Sequence, residues 1–514
     1  MTPKPSTDSL AEWIRRRRTG SPTAALGVGI AQGLRDAILQ GVVRAGERLP
    51  ASRGFAQQLG VARNTVMAAY TQLQAEGFVV SGQGSGTYVC KVAAEHVSGQ
   101  ALRTPSNDHH HTVSTPPRLS QRGLSYWADP LHSFWIEQPF CPGLFSADLF
   151  PLALWNRVLT QTARDLGSQV LRSGPQGGAA SLRDAIARHV RATRGVRCEA
   201  QQVIITDGTA QSLTLMGKLL TDSGAPVWTE DPCYWGASRA FTALGLRPQG
   251  LAVDADGALV PPEPAPGQEA PRLAYLTPSN QFPTGAVMSI ERRQQWLAYA
   301  RAHGVLLLED DYDSEFRFNG EPYPALQGMD ADTGSGNSVI YLGSFSKTMF
   351  PGIRLGFIVV PPSLAALFGA AGADYDRDGD QLLQSTMGRF ISEGHYASHV
   401  RRLRQEYGAR REALVQSLYE ALPACMASDS RLRLLGGPRG VHLSLGFPAD
   451  VDDQRVARAC AERGVTVIPL SVYGVGRPHS GAVLSYTGPN AQEIPALVQR
   501  IAPVFASLVM GSRC

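Results

Sequence analysis

Apolar residues recur at helical spacing over residues 28–40, where Ile30, Leu34, Ile38 and Leu39 form one stripe and Gly41 ends it. After a turn at Gly46-Glu-Arg-Leu-Pro, Ser52 stands as the N-cap of a short helix through Leu59. Gly60 and Val61 turn the chain again. A further helix is predicted over 62–76, with Val66, Ala69, Tyr70, Leu73 and Ala75 as its apolar side. Residues 78–89 read as two short strands around a glycine-rich tip. Residues 91–136 keep no period and are rich in Ser, Thr, Pro, His and Gly, as expected of a flexible linker. From 137 onward, strand-like runs at 202–206, 226–230, 273–277, 305–310 and 339–343 alternate with helical runs at 210–220 and 290–303. That alternation predicts an α/β fold with a mostly parallel sheet, whose unusual residues gather at strand ends. The chain divides accordingly into 1–90, a linker 91–136, and 137–514.

Composition narrows the class. A chain of 514 residues with 43% hydrophobic and 18% charged positions can build large cores, which excludes global disorder. No apolar run approaches the roughly 18 residues of a membrane span. Arg15 to Arg18 lead into Ala-, Gly- and Thr-rich sequence, so no secretory leader is expected. Seven cysteines without a CxxC spacing fit a reducing cytoplasm better than a disulfide framework or a zinc site. The adjacent His109, His110 and His111 cannot all face one metal and read as solvated linker. Net charge is +4, yet residues 1–90 hold ten Lys and Arg against five Asp and Glu. The positive excess therefore lies at the N-terminal end, which points to an anionic partner there.

Three helices and a hairpin in a basic segment make a winged helix-turn-helix. Its last helix is the element that enters the major groove of double-stranded DNA, N-terminal residues first. Those residues are Arg63, Asn64 and Thr65: Arg suits guanine, Asn suits adenine, and Thr suits phosphate or a thymine methyl. Arg53 is placed for a phosphate, and Gly84 and Gly86 let the wing backbone come close to DNA. The runs Gly46-Glu-Arg-Leu-Pro-Ala-Ser-Arg53, Leu59-Gly-Val-Ala-Arg-Asn-Thr-Val66, Tyr70-Thr-Gln-Leu-Gln-Ala-Glu-Gly77 and Gly84-Ser-Gly-Thr-Tyr-Val89 resemble the DNA-binding domain of GntR-type bacterial regulators. Where that family has Ser before the recognition-helix Arg, this chain has Ala62.

In the large segment, Lys347 sits in Ser344-Phe-Ser-Lys-Thr directly after an apolar strand. A lysine that condenses with an aldehyde needs such a fixed position and a lowered pKa. Arg354 and Ser344 suit a phosphate, as do the amides of Gly208, Thr209 and Ala210 at a helix start. Asp310 closes the strand run Val305-Leu-Leu-Leu-Glu-Asp and suits a pyridinium nitrogen. Carboxylates in this cluster also suit Mg²⁺, which is the rival reading. Tyr312 suits a ring oxygen, and Tyr234 can stack on a flat ring or belong to the core.

The set resembles fold-type I aminotransferases, and the whole chain is similar to the MocR/GabR branch of GntR regulators. Supporting runs are Pro278-Ser-Asn-Gln-Phe-Pro-Thr-Gly285, Glu309-Asp-Asp-Tyr-Asp-Ser-Glu-Phe-Arg317, Gly343-Ser-Phe-Ser-Lys347 and Glu393-Gly-His-Tyr-Ala-Ser-His-Val-Arg-Arg402. The resemblance implies pyridoxal 5'-phosphate as cofactor, a smaller C-terminal α/β subdomain and a homodimer. It makes Lys347 the Schiff-base lysine, Asp310 the pyridine partner, Tyr312 the ring-oxygen partner and Tyr234 the stacking residue, with Gly208, Thr209, Ser344 and Arg354 on the phosphate.

Three departures bear on activity. Phe282 stands where working aminotransferases carry Asn, and Arg172 where a tyrosine would reach the partner subunit's phosphate. The late strand Gly481-Ala-Val-Leu-Ser-Tyr486 has no carboxylate-gripping Arg, leaving Arg439 and Arg477 as substitutes. The expected function is a cytoplasmic transcription regulator that binds operator DNA and senses an amine, an amino acid or pyridoxal phosphate itself. The alternative is an active aminotransferase with an accessory DNA-binding domain. Physiological turnover is not expected, while residual aminotransferase-like chemistry stays open.

Overall fold

The computed structural model describes residues 7–17, 26–82 and 86–90, then 118–121, 123–124, 134–320, 323–332, 336–376, 379–423, 426 and 431–509. The chain forms two compact units, Met1–Pro117 and Arg118–Cys514.

In the first unit the stripe Ile30, Leu34, Ile38 is buried on the helix Leu26–Leu39. It packs with Phe55 and Leu59 of the helix Ser52–Leu59 and with Val66, Tyr70 and Leu73 of the helix Arg63–Ala75. Strands β1 (Val79–Gly82) and β2 (Gly86–Val89) pair antiparallel as the wing. Glycine with φ +67° at position 60 closes the short helix, donating its N–H to Ala56 and Gln57. Arg35 donates to both carboxylate oxygens of Glu76 at 2.6–2.7 Å, tying the first of these helices to the end of the third.

Two details differ from expectation. Ser52 is not the N-cap. Ala51 is, without a side-chain bond, and Ser52 is the first helical residue, its hydroxyl accepting from Arg63 Nε at 3.4 Å. Ala51, at φ −59° and ψ 133°, is the last non-helical residue, so the helix starts one position earlier than the pattern suggests. A further helix, Thr7–Arg17, was not foreseen. Its apolar positions, Leu10, Ala11, Trp13 and Ile14, are too short a period to stand out beside Arg15, yet Leu10, Ala11 and Ile14 are buried and Trp13 packs against them. Ile14 carbons lie 3.2 Å from where a Cβ on Gly33 would stand, so that helix is seated on a glycine.

The second unit is built on an eight-stranded sheet of order β3-β10-β9-β8-β7-β4-β5-β6. The strands are β3 (Val203–Thr206), β4 (Pro226–Asp231), β5 (Arg247–Asp254), β6 (Gly257–Ala258), β7 (Leu273–Leu276), β8 (Leu306–Asp311), β9 (Val339–Ser344) and β10 (Gly356–Val359). Pairings β5/β4/β7/β8/β9 are parallel as expected, whereas β10 runs against both β9 and β3. Continuous apolar runs reflect burial on both faces. In β9, Ile340 and Leu342 join the cluster with Leu213, Met216 and Phe241, while Tyr341 faces the cluster with Leu182, Ile186 and Phe390. A second, antiparallel sheet of order β11-β12-β14-β13 is formed by β11 (Arg433–Leu435), β12 (His442–Gly446), β13 (Ile468–Pro469) and β14 (Gly481–Ser485). It packs against the helices His395–Ala421 and Ile494–Leu508 through Leu443, Leu445, Leu484, Leu414, Ile501 and Phe505. This is the smaller α/β subdomain.

Candidate cofactor site and nucleic-acid interface

The ends of β3, β4, β8 and β9 share one edge of the large sheet, where open parallel sheets hold their ligands. β10, running the other way, begins there. Its first residue, Gly356, pairs with Ser344 of β9 and Thr206 of β3. That register brings Arg354, Ser344 and Gly208 to one place. Arg354 is exposed and left-handed (φ +47°), a conformation that costs a non-glycine residue about 1 kcal/mol or more. The helix Thr209–Leu220 begins at Gly208 with no side-chain cap, leaving its first amides directed at this corner, and Thr209 and Ala210 occupy that first turn. A Cβ on Gly356 would stand 2.8 Å from Gly208 Cα. Gly356→Ala should therefore push this loop outward and lower pyridoxal phosphate affinity severalfold. Crowding at the Gly343 carbonyl and Thr206 hydroxyl, 3.1 Å from that Cβ, should also lower the thermal transition, so affinity is compared below the variant's own transition. An unchanged affinity would remove the loop from the site.

Asp310, at the end of β8, is 3% exposed. Its Oδ2 accepts from the Tyr275 hydroxyl at 2.7 Å, and its Oδ1 has no partner. Burial pushes its pKa up to about 7. A buried acceptor without a donor is costly, and a pyridinium N–H is a donor of the right charge. The Tyr312 hydroxyl donates to the Asn280 carbonyl (3.0 Å) and accepts from Asn280 Nδ2 (3.1 Å), so Asn280 fixes its direction. Tyr234 is half-buried, with its ring 5.7 Å from Phe282. Lys347 is half-buried in a small pocket lined by Leu144, Phe145, Tyr407, Val441 and Thr487. Burial lowers its pKa, against the opposing pull of Asp313 and Asp310. A neutral amine is the form that attacks an aldehyde. These residues fit pyridoxal phosphate.

They do not fit Mg²⁺. Glu309 accepts from the amides of Leu326 and Gln327, Asp311 pairs with Arg194 at 2.6 Å, and Asp313 accepts from Asn280. Among the described residues no group of three metal-ligating side chains converges.

Phe282 is boxed by aromatic rings: His442 at 5.0 Å, Tyr473 at 5.2 Å, Tyr234 at 5.7 Å and Tyr312 at 6.0 Å. It brings no polar atom to the cofactor. Sequence reasoning missed His442 of the smaller subdomain. Its Nε2 lies 3.0 Å from the Pro283 carbonyl, which only accepts, so Nε2 carries the proton and the buried Nδ1 is left without a partner. Burial lowers its pKa to about 4, and lowers that of buried His399 to about 4 as well. Both are stabilising when neutral. That contribution is complete above pH 6.5 and is lost as pH falls through 4. Each histidine should cost at most about 1.4 kcal/mol per pH unit across that window. Buried Asp310 and Asp313, whose carboxyls burial raises to about 7 and about 8, shift stability the other way, so the histidine contribution is read as a difference. Urea unfolding from pH 7 to 4 should show His442→Phe gaining stability relative to the unaltered protein.

Of the two arginines considered for a carboxylate, Arg477 is exposed, whereas Arg439 is half-buried beside Asn280 and Asp313. β14 is buried throughout and carries no arginine. Arg172 is exposed, following the turn Gly167–Leu171.

In the first unit, Arg63 and Asn64 are exposed on the opening turn of their helix, and Ala62 caps it without a side-chain bond. Thr65 is half-buried with its methyl group against Gly27, which leaves it less free than its neighbours. Arg53 is exposed on the second residue of the preceding helix. Gly84 lies outside the described residues, as do the three linker histidines. Arg48, not singled out from the sequence, lies across the wing at Gly86, where any Cβ would strike its guanidinium.

Residues 147–501 match the aminotransferase class I and II family, and residues 26–89 match the gntR family of bacterial regulatory proteins. The α-aminoadipate aminotransferase LysN of Thermus thermophilus, solved with N-(5'-phosphopyridoxyl)-L-leucine, superposes with a TM-score of 0.67 at 26% identity. That match covers 76% of this chain and 98% of LysN. The large unit is thus an aminotransferase-type domain. The probable rhizopine catabolism regulatory protein MocR of Rhizobium meliloti is 35% identical over 92% of both chains. The pyridoxine biosynthesis transcriptional regulator PdxR of Corynebacterium glutamicum is 28% identical over 86% of this chain and 87% of its own. The chain belongs to the MocR-type branch of GntR-family transcription regulators, in which a DNA reader precedes an aminotransferase-type domain. Among the described residues no helix is long and apolar enough to cross a membrane.

Proposed function

We propose that this regulator acts in the cytoplasm as a homodimer on paired operator half-sites, and that residues 137–514 bind pyridoxal phosphate and sense an amine, an amino acid or the cofactor itself. Residues 1–90 read the DNA, and 91–136 link the two. The observation that carries the reading is the unpartnered Oδ1 of buried Asp310 on the same sheet edge as Lys347. When bound, pyridoxal phosphate supplies an aldehyde that exchanges one amine for another. Lys347 would attach the cofactor, Asp310 would hold the proton at its ring nitrogen, and Tyr312, fixed by Asn280, would meet its ring oxygen. Tyr234 would cover the ring, and Gly208, Thr209, Ala210, Ser344 and Arg354 would hold the phosphate. An amine bound in place of Lys347 would act by changing the contacts between the large sheet and the smaller subdomain. Only such a differential contact can bias DNA binding.

Phe282 weighs against efficient transamination, because the ring oxygen receives no hydrogen bond from that position. Lys347→Ala tests the site. The expected result is loss of the cofactor's lysine-dependent visible absorbance together with loss of effector-dependent operator binding. A retained band overturns the lysine assignment, and operator binding indifferent to the variant and to added cofactor overturns the coupling.

A further inference from the structure

Lys347 lies in the turn 345–349 that follows β9, closed by the Met349 amide on the Phe345 carbonyl at 2.8 Å. The first turn of the helix His395–Ala421 grips the residue next to the lysine. The Tyr396 hydroxyl donates to Thr348 Oγ1 at 3.1 Å, and His399 hydrogen-bonds the Thr348 main chain. All three residues are buried. Side chain and main chain of Thr348 are thus both held, by groups three positions apart on one helix face. Rings complete the seat: Tyr396 meets Phe345 edge-on at 5.8 Å, and His399 meets Phe150 edge-on at 5.7 Å. The Tyr396 hydroxyl also stands 3.4 Å from Glu315 Oε1, in the loop after β8.

This helix is shared by two cores. Tyr396 and Val400 pack in a cluster with Phe345 and Met349, the two ends of the lysine's turn. Further along, Leu403, Leu414 and Leu418 pack in the core of the smaller subdomain. Tyr407, between them, lines the pocket around Lys347. The helix therefore meets the lysine twice, at its root through Thr348 and along its pocket through Tyr407. A lysine stem is flexible, so attachment to a ring fixed by other residues is favoured by how well the root is already placed. Attachment bonds the amine nitrogen to the aldehyde carbon, and the aldehyde oxygen leaves as water.

We propose that Tyr396, supported by His399, is a positioning residue for Lys347, its grip on Thr348 setting where the amine stands for attachment. The inference rests on the cofactor reading above and deepens it. The effect is reciprocal by linkage: if the helix seat favours attachment, release of the lysine by an incoming amine disfavours that seat by the same factor. The same helix carries that bias into the smaller subdomain.

Equilibrium dialysis of the full chain compares pyridoxal phosphate, which engages Lys347, with pyridoxamine phosphate, which has no aldehyde to engage it. In Tyr396→Phe the affinity for the first should fall about 3- to 10-fold relative to the second, as expected for one buried hydrogen bond, with the second held within about twofold. Thr348→Val removes the other half of that bond and should act alike, whereas Thr348→Ser should keep the ratio. The double variant should lose no more than Thr348→Val alone. An unchanged ratio in Tyr396→Phe overturns the proposal, and so does a parallel fall of both affinities, which marks general loosening of the core. Additive losses in the double variant overturn it too. If Thr348→Val fails to fold, Tyr396→Phe and Thr348→Ser decide. If neither phosphate binds the unaltered protein, the cofactor reading has failed, and the grip is judged on the amine itself. The chain has only four lysines, Lys4, Lys91, Lys218 and Lys347, so labelling by propanal and cyanoborohydride is resolved residue by residue in peptide masses. Lys347 should label about threefold more slowly, relative to Lys218, in Tyr396→Phe than in the unaltered protein. Equal or faster labelling sinks the assignment.

Discussion

Asp310→Asn should weaken binding of pyridoxamine phosphate, which lacks the aldehyde and so reports the non-covalent site, by roughly 10²- to 10⁴-fold. The asparagine preserves volume and keeps a partner for the Tyr275 hydroxyl, which now donates to Oδ2 at 2.7 Å. What it removes is the ionised acceptor for a ring N–H inside a fully buried environment. Breaking one side of a buried charged pair costs about 3–5 kcal/mol, which sets the expected range. Tyr275→Phe is the companion variant. It deletes one hydrogen bond to the same carboxylate without removing its charge, so about tenfold weakening is expected. Equilibrium dialysis of both variants measures the effect. Binding by Asp310→Asn within about threefold of the unaltered protein would mean that the ring nitrogen lies elsewhere.

A comparably large effect is expected in the DNA reader. Arg63→Ala should lower affinity for a genomic fragment selected by the unaltered protein by about 1–3 kcal/mol, and should relax the base preference at one position of each half-site. Arg63 is exposed at the first turn of its helix, with only a 3.4 Å contact to Ser52 to give up. Its loss should therefore leave the fold intact. Arg53→Ala should instead weaken selected and unselected DNA alike, and reduce the salt dependence of binding by about one unit of slope. Fluorescence anisotropy across a salt series distinguishes these patterns. If Arg63→Ala weakened all sequences equally, Arg63 would be a phosphate contact and base reading would fall to Asn64.

Much of this molecule is legible from local pattern. The stripe Ile30, Leu34, Ile38 gave its helix to within two residues, because one buried face imposes a 3.6-residue period. Gly60 marks a helix end because its left-handed φ of +67° suits glycine. The strand runs of the large unit were found because burial on both faces leaves them uniformly apolar. Lys347, Asp310 and Gly208 could be placed at strand ends by the same logic.

Other features depend on residues distant in sequence, and no local period encodes them. The helix Thr7–Arg17 is held by contacts with Gly33 and its neighbours, and its own pattern is too short to announce it. The reversed direction of β10 brings Arg354 to Ser344 and Gly208, and it is set by pairing with two strands on either side. His442 and Arg439 reach the site only because the smaller subdomain folds its turn onto Asn280 and Pro283. The residue types and their spacing in this chain were enough to declare a DNA reader and a lysine-bearing α/β domain. The acceptor left bare on Asp310, the tautomer of His442 and the grip of Tyr396 on Thr348 had to wait for the fold. Burial and charge compensation are sums over spatial neighbours, and those neighbours come from distant parts of the chain.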